Sequence, residues 1–216
     1  MSKGTFMNRK RLLLICLLLI PVLCVTIAVY YITQSQEKAK PYWLASGGYM
    51  TYEQVFMWNN QNETEYMTWN VTELRDDTAD LHLVSHGVNV TDGNVAIIEG
   101  EANWTINAVT REVSSSSDSS YVGQKCPFWI PADLRVGSSV DILYGANTIR
   151  RSESINVLGQ QRDCWVLEYD WSTASMKRWY DKSSGLCLRI LVVLYRQDIT
   201  VTTTETAVST NIGLTQ

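Results

Sequence analysis

At 216 residues, 45% of them hydrophobic, the chain has room for one core of ordinary size that folds without metal or dense disulfides. A formal net charge of −4 argues against a basic nucleic-acid binder, and two histidines leave little for a histidine-based catalytic or metal centre.

The first element is the uncharged run at 12–32, which as a helix would span roughly 31 Å against a hydrocarbon core of about 30 Å. Lys3, Arg9, Lys10 and Arg11 precede it, so the positive-inside rule makes residues 1–11 a cytoplasmic tail and 12–32 a transmembrane signal anchor. Residues 33–41 follow as a polar stalk and 42–216 as an extracytoplasmic domain, with Tyr30, Tyr31, Tyr42 and Trp43 at the outer interface. A cleaved signal peptide is the competing reading, but the run exceeds an ordinary signal core and lacks small residues at a cleavage site. Cys16 and Cys24 follow the large Ile15 and Leu23, where lipid attachment wants small side chains. The implied partner of this segment is the lipid bilayer. Beyond it stand 14 basic and 22 acidic side chains, a net of −8 that repels phosphate backbones and argues against nucleic acid.

After Pro41 and the Gly47-Gly48 pair, alternation dominates. Met50, Tyr52, Phe56 and Trp58 share one face of a predicted strand, and Met67, Trp69 and Val71 one face of the next, with residues 59–62 as the turn. Further strands are predicted over 81–90, 95–109, 140–144, 148–158, 164–170, 175–181, 186–196 and 200–208. The fold class is all-β, an antiparallel meander forming a sandwich or half-barrel behind one N-terminal transmembrane helix. Residues 114–120 (SSSSDSS) read as a flexible loop between halves of the sheet. Residues 186–194 are apolar on both faces, so that strand belongs at the centre of a sandwich or closes a pocket.

Asn62, Asn70, Asn89 and Asn103 each open an N-x-T glycosylation triplet, and Asn70 and Asn103 alternate out of phase with their apolar neighbours, toward solvent. Cys126, Cys164 and Cys187 allow one disulfide. Tight turns would set Cys164 opposite Asp181 and Cys187 opposite Tyr180, on opposite faces, which favours Cys126 with either one. His82 and His86 on a strand would share a face about 13 Å apart, too far for one metal. Asp76, Asp77 and Asp80 lack the Gly and distal Glu of a calcium loop. None of the common catalytic or phosphate-binding motifs occurs, so no enzyme activity and no cofactor is expected.

Between two strands, the turn at 182–185 with Gly185 at positive φ makes Asp181 and Lys182 turn residues. The segments "FWIPADLRVGSSVDIL" and "CWVLEYDWSTASMKRWYDKSSGLCLRIL" resemble a pattern of uncharacterised archaeal exported proteins, carried here by Trp129, Pro131, Gly137, Tyr180, Asp181, Lys182, Gly185 and Leu186. That resemblance implies an all-β domain behind a membrane segment. The hairpin also looks like those of LolA-type half-barrel lipoprotein carriers, which implies a curved sheet shielding an acyl chain, although no helix is foreseen to plug it. The leading expectation is a membrane-anchored binding or surface-interaction module for a protein or lipid ligand. Its rivals are a LolA-like lipid or lipoprotein handler, with Trp58, Trp69, Trp104 and Trp165 lining a cavity, and a cell-surface hydrolase whose scattered carboxylates leave no motif.

Overall fold

The computed structural model describes residues 40–92, 94–143, 145–196 and 199–214. The expected tail, the anchor with Cys16 and Cys24, and nearly all of the stalk lie outside the described residues. Among the described residues no helix is long and apolar enough to cross a membrane, and the helical element is the 3-10 turn Ser119–Tyr121.

The strands in chain order are β1 (Tyr49–Trp58), β2 (Gln61–Arg75), β3 (Thr78–Thr91), β4 (Asn94–Asn107), β5 (Val113–Ser116), β6 (Ser139–Ile142), β7 (Gly145–Thr148), β8 (Arg151–Val157), β9 (Gln160–Trp171), β10 (Ala174–Asp181), β11 (Cys187–Arg196) and β12 (Ile199–Thr210). Ten of them form one antiparallel sheet in the order β5-β4-β3-β2-β1-β12-β11-β10-β9-β8, and β6 pairs with β7 alone. The all-β antiparallel meander expected from the alternation is thus present.

Local chemistry sets the hairpins. Asn59 and Asn60 both take positive φ (45° and 63°), the geometry of a two-residue turn that asparagine tolerates better than most side chains. Pairing resumes at Trp58↔Gln61, so this turn is shorter than the four residues expected and Asn62 belongs to β2. The serine-rich stretch is also corrected: it starts in edge strand β5, where Ser115 and Ser116 pair with Thr105 and Trp104, instead of being loop throughout.

The sheet is two meanders, β1–β5 and β8–β12, joined because the first and last strands pair. Its edges are therefore β5 and β8, at opposite ends, and the connector at 117–150 has to cross the sheet to link them. It crosses the face to which Met50, Trp69, Leu81 and Trp104 point, hereafter the inner face. Cys126, Phe128 and Trp129 of the connector cluster with those residues. Ile130, Val140, Ile142 and Ile149 cover Leu167, Met176, Tyr180 and Ile190 farther along. Each such buried side chain contributes about 1.5–3 kcal/mol, so the connector is held chiefly by apolar burial.

The first half of strand β11 is buried at Cys187, Leu188 and Ile190, and the strand packs in two clusters: Leu188, with Leu186 just before the strand, joins the first, and Cys187 and Ile190 the second. Hairpin β3–β4 departs from simple alternation. Its pairing to β2 ends at Thr68↔Val84, while β3 and β4 stay paired to Thr91↔Asn94. Beyond that point the more buried positions change from 79, 81 and 83 to 88 and 90, and Val88, Val90, Val95 and Ile97 lie against Phe56, Trp58, Ile199 and Val201. The Gln54 amide replaces the lost strand partner: its Oε1 accepts from the His86 N–H (3.1 Å) and its Nε2 donates to the His86 carbonyl (3.4 Å).

Candidate functional site

The Tyr180–Leu186 hairpin is built around one carboxylate. Asp181 closes β10 at 2% exposure, and its Oδ2 accepts from the Ser184 N–H (2.8 Å), the Ser184 hydroxyl (2.6 Å) and the Ser183 hydroxyl (2.5 Å). Its Oδ1 lies 3.9 Å from Nη1 of buried Arg162, and its carbonyl accepts from the Gly185 N–H at 2.8 Å. Lys182 points elsewhere, its ammonium 4.4 Å from the centroid of the Trp165 ring. The Asp-Lys pair therefore does not converge on one point; Asp181 ties the turn and Lys182 covers an indole.

The turn holds the connector. Ile130 N–H donates to the Gly185 carbonyl (2.9 Å) and Cys187 N–H to the Phe128 carbonyl (2.8 Å), with Trp129 and Leu186 bridged between them. Tyr180 donates its hydroxyl to the Pro127 carbonyl (2.9 Å), and the Trp43 indole donates to the Ser184 carbonyl (2.8 Å). Gly185 has φ +75°, and a Cβ placed there would stand 2.0 Å from the Ile130 carbonyl oxygen. The quoted motif, from Trp129 to Leu186, is thus a docking joint between connector and sheet. Arg111, which no sequence signal marks, completes it: Nη1 donates to the carbonyls of Cys126 (3.1 Å) and Trp129 (3.0 Å), and Nη2 to that of Asp141 (2.7 Å). Burial lowers the Arg111 pKa, and these carbonyls satisfy its buried donors.

The four tryptophans suggested as cavity lining fall into three clusters. Phe128 lies between Trp69 and Trp104, 5.6 Å from each ring with interplanar angles of 28° and 29°. Trp43 sits edge-on to Trp129 at 5.5 Å, and Tyr121 extends the row from Trp104 at 4.9 Å. Trp58 packs with Phe56 under hairpin β3–β4, and Trp165 borders the cluster of Leu167 and Tyr180. The space around Trp69 and Trp104 is occupied by the connector's own ring.

The register places Cys164 opposite Asp181 and Cys187 opposite Tyr180, as expected, but the expected disulfide is not formed: Cys126, Cys164 and Cys187 are buried free thiols. Cys126 and Cys164 belong to the first hydrophobic cluster and Cys187 to the second. Burial pushes all three thiols up to about 12, far from a nucleophile's range. Asn62, Asn89 and Asn103 are exposed and Asn70 is half-buried.

His82 and His86 meet different carboxylates: His82 Nε2 is 4.0 Å from Glu101, whereas the more enclosed His86 lies 3.8 Å from Glu65 and 3.5 Å from Glu99. Asp80 accepts from the Thr105 hydroxyl (2.7 Å) and from Arg75 (2.5 Å), which hold its carboxyl below the usual range.

A polar ladder missed in the sequence runs along β8–β10, because the register, not spacing, assembles it. Arg151 bridges Glu153 (2.7 Å) and Glu168 (2.9 Å), Lys177 reaches Glu168 (3.2 Å), and the Trp179 indole donates to Glu153 (2.6 Å). That indole bond first, then Arg151, keeps the Glu153 carboxyl below its ordinary pKa, so it has no proton to give at neutral pH. Glu205 is the carboxyl shifted the other way, raised by burial, and its Oε1 accepts from the Gln54 amide at 3.0 Å.

No family model and no curated protein matches the sequence. Solved structures align along most of its length. The hypothetical lipoprotein YmcC from Escherichia coli covers 85% of this chain and 97% of its own at 10% identity and a TM-score of 0.31. A domain named for outer membrane lipoprotein sorting, from Vibrio parahaemolyticus, covers 85% and 92% at 15% identity and 0.29. A LolA superfamily protein from Nitrosomonas europaea covers 79% and 88% at 9% identity and 0.24. The alignments are long and the superpositions loose.

Proposed function

We propose that this chain is a membrane-tethered, extracytoplasmic binding module without a catalytic role, working through its surface while its inner sheet face is closed by its own connector. One observation carries the reading: Phe128 fills the space between Trp69 and Trp104, where a LolA-like handler would keep room for an acyl chain. Emptying that space would break the backbone bonds of residues 128 and 130 to 187 and 185, and the three Arg111 bonds, at a net cost of about 1 kcal/mol each. The test is titration with an environment-sensitive fatty-acid probe. No saturable signal is expected, and stoichiometric binding at micromolar concentration would replace this reading with a lipid carrier.

Lipid or lipoprotein handling is the second reading, favoured by the apolar strip of Phe56, Trp58, Ile199 and Val201 under the half of hairpin β3–β4 that has left β2. Lifting that half would expose a slot. The N-terminal segment supports the tether, since its basic flank and uncharged run suit a signal anchor with the domain outside. Protease added to intact cells is accordingly expected to remove the domain, whereas a fully protected C-terminal tag would place it inside.

A further inference from the structure

The distal half of hairpin β3–β4 leaves the sheet's backbone ladder. Pairing to β2 ends at Thr68↔Val84, and beyond it Val88, Val90, Val95 and Ile97 lie against Phe56, Trp58, Ile199 and Val201. His86 stands at the point of departure, with 12% of its side chain exposed. Its Nε2 lies 3.5 Å from Glu99, its cross-strand partner on β4, and 3.8 Å from Glu65, on the part of β2 that no longer pairs with β3. The enclosed Nδ1 has no hydrogen-bond partner among the described residues, so the ring's polar contacts run through Nε2. From β1 the facing group is the uncharged Gln54 amide, which holds the His86 backbone at both its N–H and its carbonyl. Behind that amide stands Glu205 of β12, whose Oε1 accepts from Gln54 Nε2 at 3.0 Å.

We infer that His86 is a proton-operated latch: its imidazolium joins the hairpin to β2 through Glu65 and Glu99, and its neutral form lets the tip lift from the apolar strip below. Histidine is the side chain whose charge ordinarily changes between about pH 5 and 8. The protonated ring places one cation between two carboxylates that belong to the two parts being joined. The neutral ring leaves those carboxylates close together without a cation, and like charges repel. Glu65 is the partner that matters for lifting, because Glu99 moves with the hairpin. Ladder bonds would make such a joint insensitive to pH, but here a side-chain amide and an ion pair take their place. Acid therefore holds the tip down and alkali frees it. Glu205 acts in the same direction: burial raises its pKa, partly offset by Arg178, and a carboxyl so raised loses its contribution to stability as pH rises. Substitution separates the two groups.

The latch needs no ligand, so it stands or falls apart from both readings of function. The experiment is amide hydrogen exchange by NMR on the full-length chain in phosphatidylglycerol nanodiscs. Rates are compared at about pH 5.5 and about pH 8, on either side of the histidine range, each corrected for intrinsic exchange. The amide read is that of residue 86, which donates to Gln54 Oε1 and is released when the tip lifts. The amides of residues 79–83, in the stretch still paired with β2, are the reference. Protection at residue 86 is expected to fall about threefold or more on going to the higher pH, as suits a partly exposed ion pair, while the reference holds. His86→Gln is expected to abolish the fall, Glu65→Gln to reduce it to less than about half, and Glu205→Gln to leave it in place. The Glu65 variant changes a side chain that is 42% exposed, so the test survives if the more enclosed His86→Gln does not fold. The latch is overturned by equal protection at the two pH values, by a fall shared with residues 79–83, by a fall that His86→Gln or Glu65→Gln leaves unchanged, or by one that Glu205→Gln removes.

Discussion

Gly185→Ala and Gly185→Val are expected to destabilise the β-domain by about 3 kcal/mol or more, lowering the melting temperature by about 6–12 °C. Two effects add. Gly185 has φ +75°, where a side chain costs about 1 kcal/mol. Its Cβ would also stand 2.0 Å from the Ile130 carbonyl oxygen and 3.2 Å from the carbonyl carbon, so turn and connector must separate. Separation loosens the Ile130 N–H bond to the Gly185 carbonyl and, next to it, the Cys187 N–H bond to the Phe128 carbonyl. Gly159 provides the control, with φ +72° and nothing within 4 Å of its own virtual Cβ. Gly159→Ala should therefore show the conformational cost alone, about 1 kcal/mol. Urea unfolding of both alanine variants measures the difference, and equal losses would mean that the turn does not hold the connector.

The parts legible in the sequence are those that local chemistry decides. Alternation marked most strands, glycine and asparagine marked their turns, and the tight turns fixed the register across β9–β11 well enough to set Cys164 against Asp181 and Cys187 against Tyr180. Pairs remote in sequence could not be read this way. Nothing in β1 or β12 alone says that they meet, yet that pairing puts β5 and β8 at opposite edges and sends the connector across the inner face. The second layer therefore came from a segment with no helical pattern, which a search for plugging helices passes over. Arg111 was hidden for the same reason: its partners are backbone carbonyls, which every residue has. Cys126, Cys164 and Cys187 are buried free thiols, and a count of cysteines carries no information on that burial. Asp181 closes β10 at the turn, and the turn's own Ser183 and Ser184 supply the three bonds that its carboxylate accepts; what the turn's composition does not contain is the connector docked beside it, which meets the chain at Gly185 and Cys187.

Phe128→Ala is the substitution that tests whether the inner face is filled. Phe128 is 5% exposed and stacked against Trp69 and Trp104, so truncation removes a large buried ring from between two aromatic walls. The expected loss is about 3–5 kcal/mol, the range for phenylalanine truncated in a packed core, with the upper end reached if the walls cannot close. Collapse is resisted here, because Trp69 and Trp104 stand on strands paired through β3 while residues 128 and 130 stay bonded to 187 and 185. The variant should consequently hold an apolar void. Benzene near saturation is then expected to raise the melting temperature of Phe128→Ala while leaving the parent unchanged, since a ligand stabilises only the state that has a site for it. A loss below about 1 kcal/mol, together with benzene stabilising the parent, would show that Phe128 is not needed to fill the space. In that event Trp69 and Trp104 line a cavity already open to a ligand, and lipid handling becomes the better account of the protein.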